Sequence, residues 1–194
     1  MIPEGQTRRL HLRPLAAEDA AQIQEIFPHW EVVRYLMNIV PWPYPPDGAR
    51  FYVNQIALPA MERGQEYHWT LRLHTAPEQV IGVISLKPTE DDHRGFWLGL
   101  PWHGQGLMSE AAAWTNDFWF DTLGFPLLRV SKAAGNLASR RISEKQGMRL
   151  VRMREKDYVC GRLTTEVWEI TADEWRAWKA AQVDSSAAGS CAAT

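Results

Sequence analysis

Hydrophobic and polar positions along the chain divide it into short alternating runs and stretches of helical spacing. Residues 7–13 alternate and predict a strand stopped by Pro14. Ala20, Ile23 and Phe27 fall at helical spacing, so a helix is expected over 17–27, closed by Pro28. Residues 29–40 are rich in aromatics and large apolar side chains, and 41–46 hold four prolines. Proline fixes φ and lacks an N–H donor, so 41–46 cannot form a regular element. Ala49, Val53, Ile56 and Ala60 predict a second helix. Residues 67–74 and 79–87 read as two strands of a hairpin, and 93–100 as a third strand ended at Pro101. Leu107, Ala111, Trp114 and Phe118 place a helix over 104–121. A strand at 127–133 and a helix at 136–146 follow, the helix closed by Gly147, which tolerates positive φ. Strands at 148–159 and 162–170 meet at Cys160 and Gly161, and a terminal helix is expected over 173–181.

The resulting order, β-α-α-β-β-β-α-β-α-β-β, predicts an α/β chain built on one mixed sheet. The strand–helix–strand run in the middle implies some parallel pairing and the hairpins imply antiparallel pairing. One domain over residues 7–182 is expected, with a small polar tail over 183–194 that reads as disordered.

At 194 residues and 45% hydrophobic content, the chain can bury a sizeable core. No apolar run approaches a bilayer span, and the polar start lacks a signal-peptide core, which points to a cytoplasmic protein and away from membranes. Two cysteines, Cys160 and Cys191, can build neither a disulfide framework nor a zinc site, so no metal is expected. The ten tryptophans need a core or a pocket to cover them.

The net charge of −2 hides an asymmetry. Residues 129–156 carry nine basic side chains against Glu144 and Glu155. Such a stretch is a solvated face, a nucleic-acid surface or a site for a small polyphosphate. The acidic remainder repels a long polyanion, which favours the small ligand over nucleic acid.

The most informative segment is 95–111. Gly95, Phe96, Trp97 and Leu98 form a strand; Gly104, Gln105 and Gly106 form a glycine turn; and Leu107, Met108, Ser109, Glu110 and Ala111 open a helix. Amides at a helix start lack internal partners and carry partial positive charge, so 104–108 can cradle a pyrophosphate. The spacing fits neither the dinucleotide-binding glycine fingerprint nor the Walker loop. Past one more strand comes Asn136, Ser139, Glu144, Lys145, Gly147 and Met148. With these residues the chain resembles the GNAT superfamily of N-acetyltransferases, of the RimJ/RimL type. The resemblance extends to Leu12–Leu15, Val33–Leu36, Ala49–Val53, Val80–Ile84 and Glu174–Trp175.

That resemblance implies the GNAT fold with splayed central strands, acetyl-CoA as co-substrate and transfer of its acetyl group to a primary amine. The acceptor would be a protein N-terminus or a small amine, and the chain a monomer or homodimer. A non-catalytic acyl-CoA-binding or partner-binding protein on the same scaffold is the alternative. Carried over by position, main-chain groups of Leu98 and Leu100 would meet the pantetheine arm. The turn Gly104, Gln105, Gly106, Leu107 and Met108 would bind the pyrophosphate. Asn136 and Ser139 would face the cofactor, and Arg141 (or Arg140 or Lys145) the 3′-phosphate. The Leu98 backbone would donate to the oxyanion. Many superfamily members place a tyrosine acid seven residues after the asparagine; here that residue is Ser143, which leaves Ser139 or water as donor. An acidic residue often stands where this chain has His93, and histidine is the expected base, with Glu90, Asp91 and Asp92 as rivals. Trp30, Tyr35, Trp42, Tyr44, Trp69 and Trp97 are expected to line the acceptor pocket.

Overall fold

A computed structural model describes residues 2–190, with side chains through residue 182. Five strands form the first sheet: β1 (Gly5–Gln6), β2 (Leu10–Pro14), β3 (Tyr67–Leu73), β4 (Gly82–Leu86) and β5 (Arg94–Leu98), paired in that order. Three more form the second: β6 (Leu127–Ala133), β7 (Arg149–Tyr158) and β8 (Gly161–Thr171), in the order β6-β8-β7. Every ladder is antiparallel. The expected parallel pairing is therefore corrected: β5 and β6 follow one another through a helix but share no ladder.

Among the described residues, main-chain hydrogen bonding joins the two sheets at one place. The His93 amide donates to the Arg129 carbonyl at 2.8 Å, and the Arg129 amide donates to His93 Nδ1 at 2.9 Å. Asp92 Oδ1 accepts the Ser131 amide at 3.2 Å. Side chains thus take the amides of β6 that a neighbouring strand would bind. Beyond this point β5 and β6 part, as the splayed-strand expectation requires.

Two apolar layers cover the first sheet. On one face, α5 (Leu107–Asp117), α6 (Leu137–Lys145) and α7 (Ala172–Ser190) contribute to a core with Leu71, Ile84, Leu98, Leu107, Trp119 and Trp175. On the other face pack α1 (Asp19–Ile26), α2 (Trp30–Val33), α3 (Gly48–Phe51) and α4 (Leu58–Glu62), with Phe27, Val33, Val53, Val83 and Trp97. Alternation along β5 assigns Phe96 and Leu98 to the first layer and Trp97 to the second. The predicted helix at 49–60 is realised as α3 and α4 joined through a wider, π-helical turn (Tyr52–Ala57). The helix predicted from 104 begins only at Leu107, because Gly104 and Gly106 take φ of +75° and +76°. The terminal helix runs on to Ser190. The tail expected over 183–194 lies outside the described residues for its side chains, and for its backbone from 191, Cys191 included.

Candidate active site

The parting of β5 and β6 exposes the edge of β5. The Gly99 amide donates to Ile81 O at 2.9 Å, which makes Gly82 and Leu98 a non-hydrogen-bonded pair of the β4–β5 ladder. The Leu98 amide therefore faces away from β4, into the gap. The Leu98 carbonyl is already taken by the His103 ring, whose Nε2 lies 2.6 Å away. Of the main-chain groups assigned to the gap, the Leu98 amide is free and its carbonyl is not. The Leu100 carbonyl likewise accepts from the His103 amide at 3.1 Å.

At the mouth of the gap the glycine turn leads into α5. A Cβ at Gly104 would meet nothing within 4 Å, and one at Gly106 only Arg9 Nη2 at 3.6 Å. No side chain caps α5, so its first amides point outward unpaired. Sequence reasoning missed Arg9. Its Nη1 donates to the Gln105 carbonyl at 2.9 Å and its Nε to Glu110 at 2.9 Å. Glu110 also accepts from Thr7 Oγ1 at 2.6 Å and from the Arg9 amide at 2.7 Å. Burial pushes the Glu110 carboxyl up, but these bonds and the Arg9 charge outweigh it and hold the group below the usual carboxylate range. Glu110 supports the turn, tying the chain's start to the head of α5. A cation, a run of open amides and vacant space over two glycines fit a diphosphate.

The second side of the gap is α6. Asn136 Oδ1 caps it by accepting the Ser139 amide at 3.2 Å, so that oxygen is committed to the helix while the Asn136 amide nitrogen stays open. Ser139 is half-buried on the first turn. Ser143, at the position of the family's tyrosine, is fully buried and accepts from Lys132 Nζ. Burial, with Arg94 nearby, pushes the Lys132 ammonium down to about 7. Arg94 is itself buried, against Asn116 and Gln146 rather than a carboxylate, and burial pushes it down to about 10. Neither cation was legible as buried from the sequence.

His93 requires a correction. Its Nδ1 accepts from Arg129 and its Nε2 donates to the Thr89 carbonyl at 2.5 Å, while the ring stacks on Trp119. Burial lowers its pKa, so the ring is neutral, but neither nitrogen is free to take a proton from an acceptor. It is the joint between the sheets. Asp91 is equally engaged, by Arg129, Arg152 and Arg154, and Asp92 by Lys156 and the Ser131 amide.

The basic stretch is largely neutralised from within. Arg129, Arg140, Arg149, Arg152, Arg154 and Lys156 all pair with carboxylates, and Lys132 is buried on Ser143. Arg141 and Lys145, both exposed on α6, make no ion pair among the described residues. The charge argument for a polyphosphate thus narrows to these two, because Arg9 at the glycine turn is balanced by Glu110 and offers only its Nη2 as a donor.

The six aromatics separate. Trp69 is fully buried in the main core, donating to the Pro3 carbonyl at 2.8 Å. Tyr44 and Trp97 each set their rings 4.9 Å from Phe27, in the second core. Trp30 and Tyr35 do line an open cavity of about 450 Å³, which also touches Ala134, Gly135 and Cys160. Trp42 is 42% exposed and packs its ring 5.6 Å from that of Trp30. Packing, not chemistry, claims three of the six. Among the described residues, no group of three or more His, Cys, Asp or Glu could hold a metal, and no helix is long and apolar enough to cross a membrane.

Comparison with known proteins places this geometry. Residues 9–149 match the acetyltransferase (GNAT) domain family. No protein with a curated description matches the sequence. Among solved structures, the ribosomal-protein-S5-alanine acetyltransferase from Vibrio fischeri superposes with a TM-score of 0.75 at 14% identity, covering 89% of this chain and 98% of that one. RimJ from Mycobacterium smegmatis, in complex with CoA-disulfide, gives 0.76 at 17%, covering 90% and 91%. RimL, a ribosomal L7/L12 α-N-protein acetyltransferase in complex with coenzyme A, gives 0.72 at 18%, covering 89% and 98%. At such identities the likeness establishes the fold.

Proposed function

This chain belongs to the acetyltransferase (GNAT) family and is an N-acetyltransferase; from that premise we propose that it moves the acetyl group of acetyl-CoA to a primary amine by direct attack on the thioester. The observation that carries the reading is the gap between β5 and β6, closed at His93–Arg129 and flanked at its open end by the uncapped glycine turn.

Acetyl-CoA supplies an activated acyl group. The residues that would hold it are the turn Gly104 to Met108 with Arg9 for the diphosphate, Arg141 and Lys145 for the 3′-phosphate, and the Leu98 and Leu100 amides with Asn136 along the gap. A diphosphate is bound well by such a set because dipole, open amides and guanidinium all act at short range. The Leu98 amide, held rigidly by the ladder beside it, donates to the oxygen on which charge develops. A fixed donor needs no reorganisation as charge appears, which is the main source of such stabilisation. Ser139 Oγ–H, on the first turn of α6, donates a hydrogen bond to the departing thiolate and keeps its proton, in the place that the buried Ser143 does not reach; the thiolate takes its proton from water. With His93 engaged, the amine proton passes to water in the open cavity.

Titration calorimetry with coenzyme A tests the binding site. The wild-type protein should give a saturable heat, and Gly106→Val should lose it while keeping its circular dichroism spectrum, because a branched side chain stands in the anion's approach and cannot hold the φ of +76° that shapes the turn. A folded Gly106→Val protein with unchanged affinity would refute the site. Turnover of acetyl-CoA with a panel of peptides, polyamines and amino acids then reads the transfer itself.

A further inference from the structure

The cavity beside α2 carries more information than its aromatic walls. Arg34 is the one charged residue among those lining it. The guanidinium carbon lies 4.7 Å from the centre of the Tyr35 ring. No carboxylate pairs with Arg34 among the described residues, and its Nε is buried without an acceptor. An orphaned donor of that kind is costly, and a ring face compensates only in part.

The residue is held in place all the same. The Arg34 amide donates to the Trp30 carbonyl at 2.9 Å, and the Arg34 carbonyl accepts the Cys160 amide at 3.1 Å. Val159 donates to Leu36 O at 3.0 Å, so the α2 segment is fastened to the β7–β8 hairpin. The Tyr35 hydroxyl donates to the Gly135 carbonyl at 3.3 Å, at the end of β6 and next to the cap of α6. The backbone at Arg34 is therefore fixed, and its half-buried side chain, stacked on Tyr35, lines an apolar chamber beside the end of β6 and the β7–β8 hairpin.

A site for a polycationic amine would present carboxylates. This one presents an arginine. We infer that the acceptor is an amine bearing a carboxylate close to its nitrogen, with Arg34 pairing the carboxylate and Trp30 and Tyr35 covering an apolar or aromatic body. The inference rests on the acetyl-transfer reading above and names its substrate class. Two sources share this chemistry: a free apolar amino acid, and a peptide N-terminus followed by an acidic side chain. A neighbouring cation also favours the neutral, nucleophilic form of the amine.

Calorimetry on acetylated products tests this without turnover. N-acetylphenylalanine should bind the wild-type protein at least about tenfold more tightly than N-acetylphenylalaninamide, the factor expected of a charge-assisted pair. Arg34→Gln should erase the difference, and Arg34→Lys should restore part of it. A second arm compares N-acetylated dipeptides with Asp or Asn in the second position; whichever arm shows the larger preference identifies the source. Equal affinity for acid and amide in both arms, a preference that survives Arg34→Gln, or no binding of either probe would each overturn the inference. The transfer reading fails separately, if the wild-type protein acetylates no amine at all.

Discussion

Replacing Lys132 by methionine should make this protein more stable at neutral pH, and the size of the effect follows from where the ammonium sits. Lys132 is 5% exposed, donates to Ser143 and feels a second buried cation, Arg94, whose repulsion is opposed by the charges of Glu166, Asp92 and Glu144. Burial lowers its pKa from 10.5 to about 7. The unfolded chain therefore binds more protons than the folded one between pH 7 and 10.5, and stability rises with pH across that window. At pH 7 the linkage amounts to about 4 kcal/mol against the folded state, and it falls by about 2 kcal/mol between pH 7 and 9. Methionine fills similar volume with no charge to desolvate, at the cost of leaving Ser143 without its donor, about 1 kcal/mol. The net gain at pH 7 is about 2–3 kcal/mol, or roughly 4–12 °C in Tm for a chain of this size. Urea denaturation of both proteins at pH 7, 8 and 9 reads it. The wild-type midpoint should climb with pH and the Lys132→Met midpoint should not share that climb. Parallel pH profiles would show that the ammonium is not desolvated, and the reasoning would fail.

Three other perturbations separate the parts of the site. His93→Ala should leave the low-pH limb of the rate profile where it is, because both ring nitrogens are engaged within the fold, while lowering Tm by roughly 4–12 °C for a loss of about 2–3 kcal/mol. Its lowered pKa also means that wild-type stability falls as pH drops below about 6.5, where only the unfolded ring gains a proton; the variant should lack that loss in acid titrations followed by circular dichroism. Arg141→Gln with Lys145→Gln should weaken coenzyme A about tenfold in calorimetry at low salt yet leave 3′-dephospho-coenzyme A unaffected, and equal weakening of both ligands would remove the 3′-phosphate from these residues. Glu110→Ala should release Thr7 and Arg9 together, destabilising the fold by about 2 kcal/mol in urea and loosening the turn, so that coenzyme A affinity drops several-fold.

How much of this was legible beforehand depends on the range over which each feature is encoded. The strands and helices follow from spacing within a few residues, and so do the glycine turn, Asn136 as a cap and Gly147 as a stop with φ of +71°. Local steric and hydrogen-bonding preferences act over one helical turn, and a single sequence displays them. Parallel pairing was expected from connectivity alone, and it is absent because the His93 ring and the Asp92 carboxylate take amides of β6. The fates of individual charges and rings lay further off. Arg152 and Asp91 are 61 residues apart, Lys156 and Asp92 are 64 apart, and no local pattern couples them. A run of nine basic residues looks like one positive surface in the sequence, whereas folding returns carboxylates from the approach to β5 and from β8 to most of it. Trp69 and Trp30 carry the same indole; only packing sends one into the core and leaves the other at a cavity. The amino-acid order alone thus specified the elements, their punctuation and the family. Burial and pairing, which are properties of contacts between distant segments, decided that His93 is a joint, that Lys132 is a desolvated cation, and that Arg34 lines an open chamber with no carboxylate partner among the described residues.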